Sequence, residues 1–174
     1  MLNISNYQTA KNVDKPQFMQ LKSVLTGELE TTEEGKPVGI ELHSMHSRAF
    51  TNALRDTVDL DLDQEEKQKQ KDILKWIAEG VKPSQESKEF LEYCEKKTTD
   101  RFTRVYALIT TKLVNLQLTD DDAKTLGVKI GKNGDVSCTT DNLVKFYSQL
   151  PDVTKQMGDF MAERKNFMVS SSKS

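Results

Sequence analysis

Apolar residues recur along this chain at two different spacings, and each spacing predicts a type of element. Val38, Ile40 and Leu42 alternate with glycine or polar residues, which is typical of a half-buried strand. The apolar run at 18–25 precedes them and predicts a partner strand, so that the two form an antiparallel hairpin with a long connection. Most other apolar residues follow the i, i+3, i+4, i+7 spacing that lines one face of a helix.

The helical pattern predicts a series of helices with recognisable ends. Ser44 and Ser47 are candidate N-caps for a helix that begins near them. The next helix passes from a charged first half into an apolar second half and ends at Gly80. Residues 84–98 permit a helix, and the apolar stripe over 100–118 is broad enough to predict a helix at the centre of the core.

Two further signals lie between residues 119 and 138. Thr119 is followed by three aspartates, which is typical of an N-cap with charges that complement the helix dipole, and the short helix ends at Gly127. The segment 128–138 predicts a small hairpin. A three-residue loop at 132–134 places its four apolar side chains on one face, whereas a two-residue loop would face Ile130 with a serine. The four apolar residues are Val128, Ile130, Val136 and Cys138.

The last quarter of the chain contains two amphipathic helices separated at Pro151. Proline ends the first helix and suits the first turn of the second. The second helix has a surplus of large flexible apolar residues, namely Met157, Phe160, Met161, Phe167 and Met168. Such a face either packs on the helix predicted over 100–118 or stays available to partners, since methionine-rich surfaces adapt to varied shapes.

These elements predict an α+β, mostly α-helical fold, with an N-terminal β-hairpin, a helical core and a second small hairpin before two C-terminal helices. The 174 residues are enough for one domain. We expect residues 1–16 to form a flexible N-terminal segment, residues 17–168 a single α-rich domain, and residues 169–174 a disordered tail.

Charge and hydropathy narrow the classes of function. The formal net charge is -2, the mean hydropathy is -0.63 and the pI is about 5.8. Basic residues are interleaved with acidic ones, which does not favour binding to nucleic acid or to an anionic membrane. The sequence has no apolar run of the length that crosses a bilayer. Its two distant cysteines fit a reducing cytoplasm better than a disulfide scaffold.

No group of residues in the sequence predicts catalysis or a bound metal. His43 and His46 have the spacing of two helical ligands, but no further cysteine or histidine supports them. Cys94 and Cys138 lack an evident base, because the chain's only two histidines lie together in another segment. The aspartates at 120–122 are better explained as charges at a helix start than as cation ligands. We therefore expect no enzymatic activity, no cofactor and no metal.

The C-terminal helices also carry a pattern of particular residues. It comprises Asp141, Asn142, Leu143, Phe146, Tyr147, Pro151 and the run ERKNF at 163–167. This pattern resembles the C-terminal signature of tail assembly chaperones of long-tailed bacteriophages. The order of elements upstream fits the same family, with a Gly-X-hydrophobic strand at 39–42 followed by Ser47, Phe50 and Arg55. The sequence departs from the family where LVNLQL replaces a Trp-containing segment, and where Glu163 replaces the commoner aspartate.

The resemblance implies a non-catalytic assembly factor. Such chaperones coat the tape measure protein in the host cytoplasm, recruit tail tube subunits and leave before the virion matures. Several weakly bound copies are expected to act along one long partner, and self-association is expected with them. In many relatives a ribosomal frameshift adds a second domain. The residues expected to bind the partner lie in the predicted strand pair and the last helix: Val38, Ile40, Met157, Phe160, Met161 and Phe167.

Two other functions are compatible with the same pattern. A structural virion component, such as a small tail or head-completion protein, would stay in the particle. A small regulatory binding protein would use the helical domain against a host factor or nucleic acid, although the near-neutral charge argues against nucleic acid.

Overall fold

Three short strands and six α-helices make up the part of the chain that the computed structural model describes, residues 14–163. The strands are β1 (Gln17–Gln20), β2 (Gly39–Leu42) and β3 (Thr110–Val114). The helices are α1 (Arg48–Asp56), α2 (Gln64–Ala78), α3 (Gln85–Ile109), α4 (Asp120–Leu126), α5 (Thr140–Gln149) and α6 (Pro151–Ala162), with a short 3-10 helix at Val58–Leu60. The predicted α+β, mostly helical fold is confirmed.

The central strand of the sheet is β2, in an antiparallel order β1-β2-β3. Met19 of β1 pairs with Ile40, and Ile40 pairs on its other side with Leu113. Ile40 and Leu42 are completely buried, because a middle strand packed on helices has no solvent edge. The predicted N-terminal hairpin is therefore confirmed.

A glycine is required at the start of β2. A Cβ on Gly39 would collide with the carbonyl oxygen of Met19 and would lie 2.6 Å from the ring of Phe18. Glycine therefore allows β1 to lie close against β2 at this point.

Side chains cap the starts of four helices. Ser47 and Thr119 accept hydrogen bonds from the first turns of α1 and α4, as the sequence predicts. Asp63 and Glu66 form a reciprocal capping box at the start of α2. Ser84 caps α3, which gives that helix a defined beginning within a weakly apolar segment.

The bounds predicted for the helix over 100–118 are wrong at both ends. α3 is one continuous helix, and the segment 84–98 supplies its cap and first half. From Thr110 the backbone is extended and pairs with β2 as β3. The β-branched Thr110 and Thr111 favour a strand, and β2 would otherwise leave an unpaired edge. Pairing with a distant strand therefore overrides the helical spacing of the apolar residues.

The predicted small hairpin forms with the predicted loop. Ile130 pairs with Val136, and the Gly131 N–H donates to the Asp135 carbonyl at 2.8 Å, which closes a three-residue loop. Cys138 is exposed, so the prediction that it shares the buried face is wrong. The hairpin ends before this residue, and the chain turns into α5.

The main core lies between the sheet, the second half of α3 and the last two helices. Pro151 is the first residue of α6, and the break between α5 and α6 falls at Leu150 as predicted. The core side chains of these helices include Val105, Ile109, Leu143, Phe146, Tyr147, Met157 and Met161. In contrast, α2 packs mainly on α3, and its single buried residue, Ile73, does not belong to this cluster.

The chain ends fall partly outside the described residues. Residues 1–13 and 164–174 lie beyond them, and with them most of the segment predicted to be flexible and the whole predicted tail. Asp14 accepts a hydrogen bond from the Arg48 N–H at 2.8 Å, so the end of the 1–16 segment contacts α1. The single domain over 17–168 stays a prediction.

Candidate functional site

The residues predicted to bind a partner fall into three groups. Ile40, Met157 and Met161 are buried in the core. Val38 and Phe160 are half-buried and pack against the core, and Phe167 lies outside the described residues. The first three are therefore core residues, so the part of the expected Met/Phe face that lies within residues 14–163 is not exposed.

The methionines of α6 are buried because α6 lies very close to α3. Gly158 faces the hydroxyl of Tyr106, and a Cβ there would lie 3.2 Å from that oxygen. The absence of a side chain at this turn lets the helices approach, so that Met157 and Met161 fill the interface. For Met157 and Met161, the core-packing interpretation is the one that the structure supports, whereas Met168 lies outside the described residues.

Asn142, a residue of the C-terminal pattern, joins α5 to the small hairpin. Its Oδ1 accepts from the Lys129 N–H at 2.6 Å, and its Nδ2 donates to the carbonyls of Lys129 (3.0 Å) and Ser137 (2.8 Å). The Asn142 side chain is buried, and these three bonds satisfy both its amide oxygen and its amide nitrogen. Asn142 therefore has a structural role, because it holds the small hairpin against α5.

Tyr147, from the same pattern, joins α5 to the start of β3. Its hydroxyl lies 2.8 Å from Thr110 Oγ1 within the core. Burial raises the pKa of the Tyr147 phenol far above its usual range, so it stays protonated. This hydrogen bond fixes the point where α3 changes into a strand.

An apolar groove runs along one side of the molecule. Its volume is about 510 Å³, and it lies between the β1–β2 connection (21–38), α4 and the break between α5 and α6. We call it the lateral groove. Its apolar wall includes Val24, Val38, Leu118, Leu126, Leu150 and Val153. Of the five predicted partner residues within the described part of the chain, Val38 is the one that lines this groove.

Hydrogen bonds hold the β1–β2 connection over this groove. Leu21 N–H donates to the Val38 carbonyl at 3.0 Å, which continues the hairpin beyond the named strands. Gln156 of α6 bonds both backbone groups of Lys22, accepting from its N–H at 2.9 Å and donating to its carbonyl at 3.0 Å. Beyond this attachment, Val24 is 66% exposed. One rim of the groove is therefore both apolar and solvent-facing.

The helical hairpin of α2 and α3 is held by a polar cluster outside the main core. Glu66 accepts hydrogen bonds from Lys97 Nζ at 2.8 Å and from the Tyr93 hydroxyl at 2.6 Å. The bond from Lys97 is the main cause that lowers the pKa of Glu66 to about 2, followed by the bond from Tyr93. The carboxylate is therefore ionised at neutral pH and acts as a link between the helices.

A second ion pair anchors the segment before α2. Asp61 accepts from Lys67 Nζ at 2.8 Å and pairs with the guanidinium of Arg101. The hydrogen bond from Lys67 lowers the pKa of Asp61. Arg101 also donates to the Leu54 carbonyl at 3.2 Å, so it ties α3 to the end of α1. This is the arrangement of a structural ion pair, in which every charge has an opposite charge beside it.

The histidines and cysteines do not assemble into a reactive site in residues 14–163. His46 is exposed. The His43 backbone N–H donates a hydrogen bond to the Ile109 carbonyl oxygen at 3.1 Å. Cys94 is buried, and burial raises the pKa of its thiol, which disfavours the reactive thiolate. Within the described chain no three metal-ligating side chains of His, Cys, Asp or Glu come together. Across the same residues, no helix has the length and apolar character needed to span a bilayer.

Comparison with known proteins gives no relative for this chain. No family model, no curated protein and no solved structure matches it.

Sequence reasoning missed two accessible apolar surfaces, the lateral groove and the end of α2, where Trp76 is exposed. The lateral groove depends on contacts between segments more than 100 residues apart, such as Lys22 with Gln156, and no local pattern reports them. The end of α2 did carry a signal. Ile73, Trp76 and Ile77 lie beside further apolar residues there, which is more than one buried helix face requires.

Proposed function

We propose that this protein is a tail assembly chaperone of a long-tailed bacteriophage. In this proposal it binds the tape measure protein in the host cytoplasm, helps to recruit tail tube subunits and is absent from the mature virion. Two features support this proposal. They are the residue pattern of the C-terminal helices and an accessible groove with an apolar wall.

The lateral groove is the observation that carries a binding function. Its walls come from three separate segments, and its rim at Val24 is apolar and exposed. A groove of this shape suits an amphipathic helix laid along it, the mode in which helical segments are commonly recognised. The tape measure proteins bound by such chaperones are long and helical, so each offers many segments of this type.

The C-terminal pattern contributes to the proposal through the fold. Asn142 holds the small hairpin, Tyr147 holds the start of β3, and Pro151 starts α6 directly after Leu150, which lines the groove. A pattern that positions these elements is expected to be shared by proteins with the same fold. The pattern therefore supports a common architecture rather than a set of contact residues.

Co-expression tests the proposed partner. A phage tape measure protein from the same genome is expressed alone, with this protein, and with an unrelated helical protein of similar size. We expect the tape measure protein to become soluble and to co-purify only with this chain. If its solubility is unchanged and no complex forms, the proposal is wrong.

Mass spectrometry separates the chaperone from a structural virion component. We expect peptides of this protein in lysates of infected cells during assembly and none in purified particles. Its presence in particles at stoichiometric amounts would instead identify a tail or head-completion protein.

A further inference from the structure

The first part of the β1–β2 connection, residues 22–29, folds into a compact turn that we call the flap. The Ser23 N–H donates to the Glu28 carbonyl at 2.8 Å, and the Gly27 N–H donates to the Ser23 carbonyl at 2.8 Å. Both bonds lie within the flap, so they satisfy its backbone groups without help from the rest of the fold.

The flap has few contacts with the rest of the molecule. Every flap residue except Ser23 is exposed, and none belongs to the core or packs against it. At its base, the Glu30 N–H donates to the Leu21 carbonyl at 2.8 Å. Within residues 14–163, the only side chain outside the flap that forms a hydrogen bond with it is Gln156 of α6. The flap is therefore attached at its base and through one side chain.

Gln156 occupies both backbone groups of Lys22, as the backbone of a neighbouring strand would. Its Oε1 accepts from the Lys22 N–H at 2.9 Å, and its Nε2 donates to the Lys22 carbonyl at 3.0 Å. Gln156 lines the lateral groove, and so do Lys22, Ser23 and Val24 of the flap. These two hydrogen bonds therefore fix the distance between the flap and α6, and with it the width of the groove on this side.

The tip of the flap is apolar and faces solvent. Leu25 is 96% exposed, which is the largest exposure of any large apolar side chain in the described part of the chain. Val24, beside it, lines the groove. Exposed apolar side chains next to an apolar groove gain burial when they close over an occupant of that groove.

We propose that the flap is a movable wall of the lateral groove and that Gln156 holds it against α6 in the free protein. When the two hydrogen bonds of Gln156 break, the flap moves away from α6 about its base at Leu21 and Glu30. The groove then widens to admit a helical segment of the tape measure protein, and Val24 and Leu25 close over that segment. The closure rests on the proposed function, whereas the opening of the flap does not.

Trypsin provides a direct probe of the opening. The connection over 21–38 contains two lysines, and Lys36 precedes Pro37, a bond that trypsin does not cut. Cleavage within the connection is therefore confined to the Lys22–Ser23 bond. Trypsin must bind the carbonyl oxygen of that bond in its oxyanion hole. Because Gln156 occupies this carbonyl, the bond can be cut only after the flap leaves α6.

Substitution of Gln156 tests its role in holding the flap. Gln156→Ala removes both hydrogen bonds and should accelerate cleavage at Lys22 about tenfold. Gln156→Glu keeps the acceptor but loses the donor, so its rate should lie between those of Gln156→Ala and the unmodified chain. Lys155→Ala, at the neighbouring exposed position, is the control and should leave the rate unchanged. A Gln156→Ala variant cleaved as slowly as the Lys155 variant contradicts the proposal.

The urea dependence of cleavage separates local opening of the flap from unfolding of the whole chain. Local opening exposes little surface, so the rate at Lys22 should change less than about twofold between 0 and about 1 M urea. Cleavage that required global unfolding would rise about tenfold or more over the same range. A rise of that size in the unmodified chain would show that the flap does not open by itself.

The complex with the tape measure protein tests the closure. If Val24 and Leu25 cover the bound segment, the Lys22–Ser23 bond should be cut at least about tenfold more slowly in the complex than in the free chain. Equal cleavage in both states contradicts the closure. Failure to form a complex at all would overturn the proposed function, and the closure with it, while the opening of the flap is decided by the free chain alone.

Discussion

Asn142 shows how one polar side chain can determine the placement of a whole segment. Its amide satisfies three backbone groups of the small hairpin and is itself buried. The sequence places this residue in the family-like pattern but does not indicate its partners, because these depend on where the hairpin packs. Its role in folding could therefore be established only from the structure.

Asn142→Ala should destabilise the protein by about 1–3 kcal/mol, because it removes the three hydrogen bonds by which a buried amide holds the small hairpin. Urea unfolding measures the change. Asp141→Ala, at the neighbouring exposed position, provides the control and should change stability by less than about 0.5 kcal/mol. Similar losses for both variants would show that the Asn142 bonds contribute little.

Gly39→Ala should destabilise the sheet by at least about 2 kcal/mol, because the added methyl group collides with the backbone of β1. Gly131→Ala is the control, since the nearest atom to its added methyl lies at 3.7 Å, which is an ordinary contact. Thermal unfolding of both variants compares them. A Gly39 variant as stable as the Gly131 variant would contradict the close approach of β1 and β2.

The elements differ in how far the sequence could predict them. Helix starts at Ser47 and Thr119, the loop of the small hairpin and the break at Pro151 depend on neighbouring residues, so local patterns predict them correctly. β3 depends on an unpaired edge of β2 about 70 residues earlier, and its apolar residues happen to fit a helical spacing as well. This segment is therefore a strand because of its long-range pairing with β2, which the local pattern could not predict.

The α2–α3 hairpin should lose stability in acid through Glu66. Its folded pKa of about 2 lies below the ordinary value of 4.5, so its contribution is fully present above about pH 4.5 and is lost as the pH falls toward 2. Glu66→Gln should lower the unfolding midpoint at pH 7 and flatten its decline between about pH 5 and pH 2. A decline as steep as that of the unmodified protein would show that other carboxylates dominate.

At the scale of the whole molecule, two apolar surfaces lie on different parts of the fold. The lateral groove lies beside the main core, and the exposed end of α2, with Trp76 and Ile77, lies outside that core. If the lateral groove binds segments of a long partner, as proposed, the weak contacts of successive copies add along that partner. This arrangement fits an assembly factor that must bind firmly as an array and leave as single copies.

The predicted partner face at Met157 and Met161 illustrates what periodicity cannot decide. An apolar stripe shows that one helix face is covered, but not whether the cover is the chain's own core or another protein. Here Gly158 brings α6 against α3, and the core covers the stripe. The accessible groove instead uses Val38 and residues that are scattered along the sequence, which no single stripe reveals.

Binding of the tape measure protein through the lateral groove is tested most directly by a pair of matched variants in the co-expression experiment. Val24 lines the groove and is 66% exposed. Val58 is 65% exposed to solvent as well, but it lies in the 3-10 helix after α1, outside the groove. We predict that Val24→Asp abolishes co-purification of the tape measure protein, while Val58→Asp retains it at the level of the unmodified chain. Retention of the complex by the Val24 variant, or equal loss with both variants, would contradict the lateral groove as the binding site.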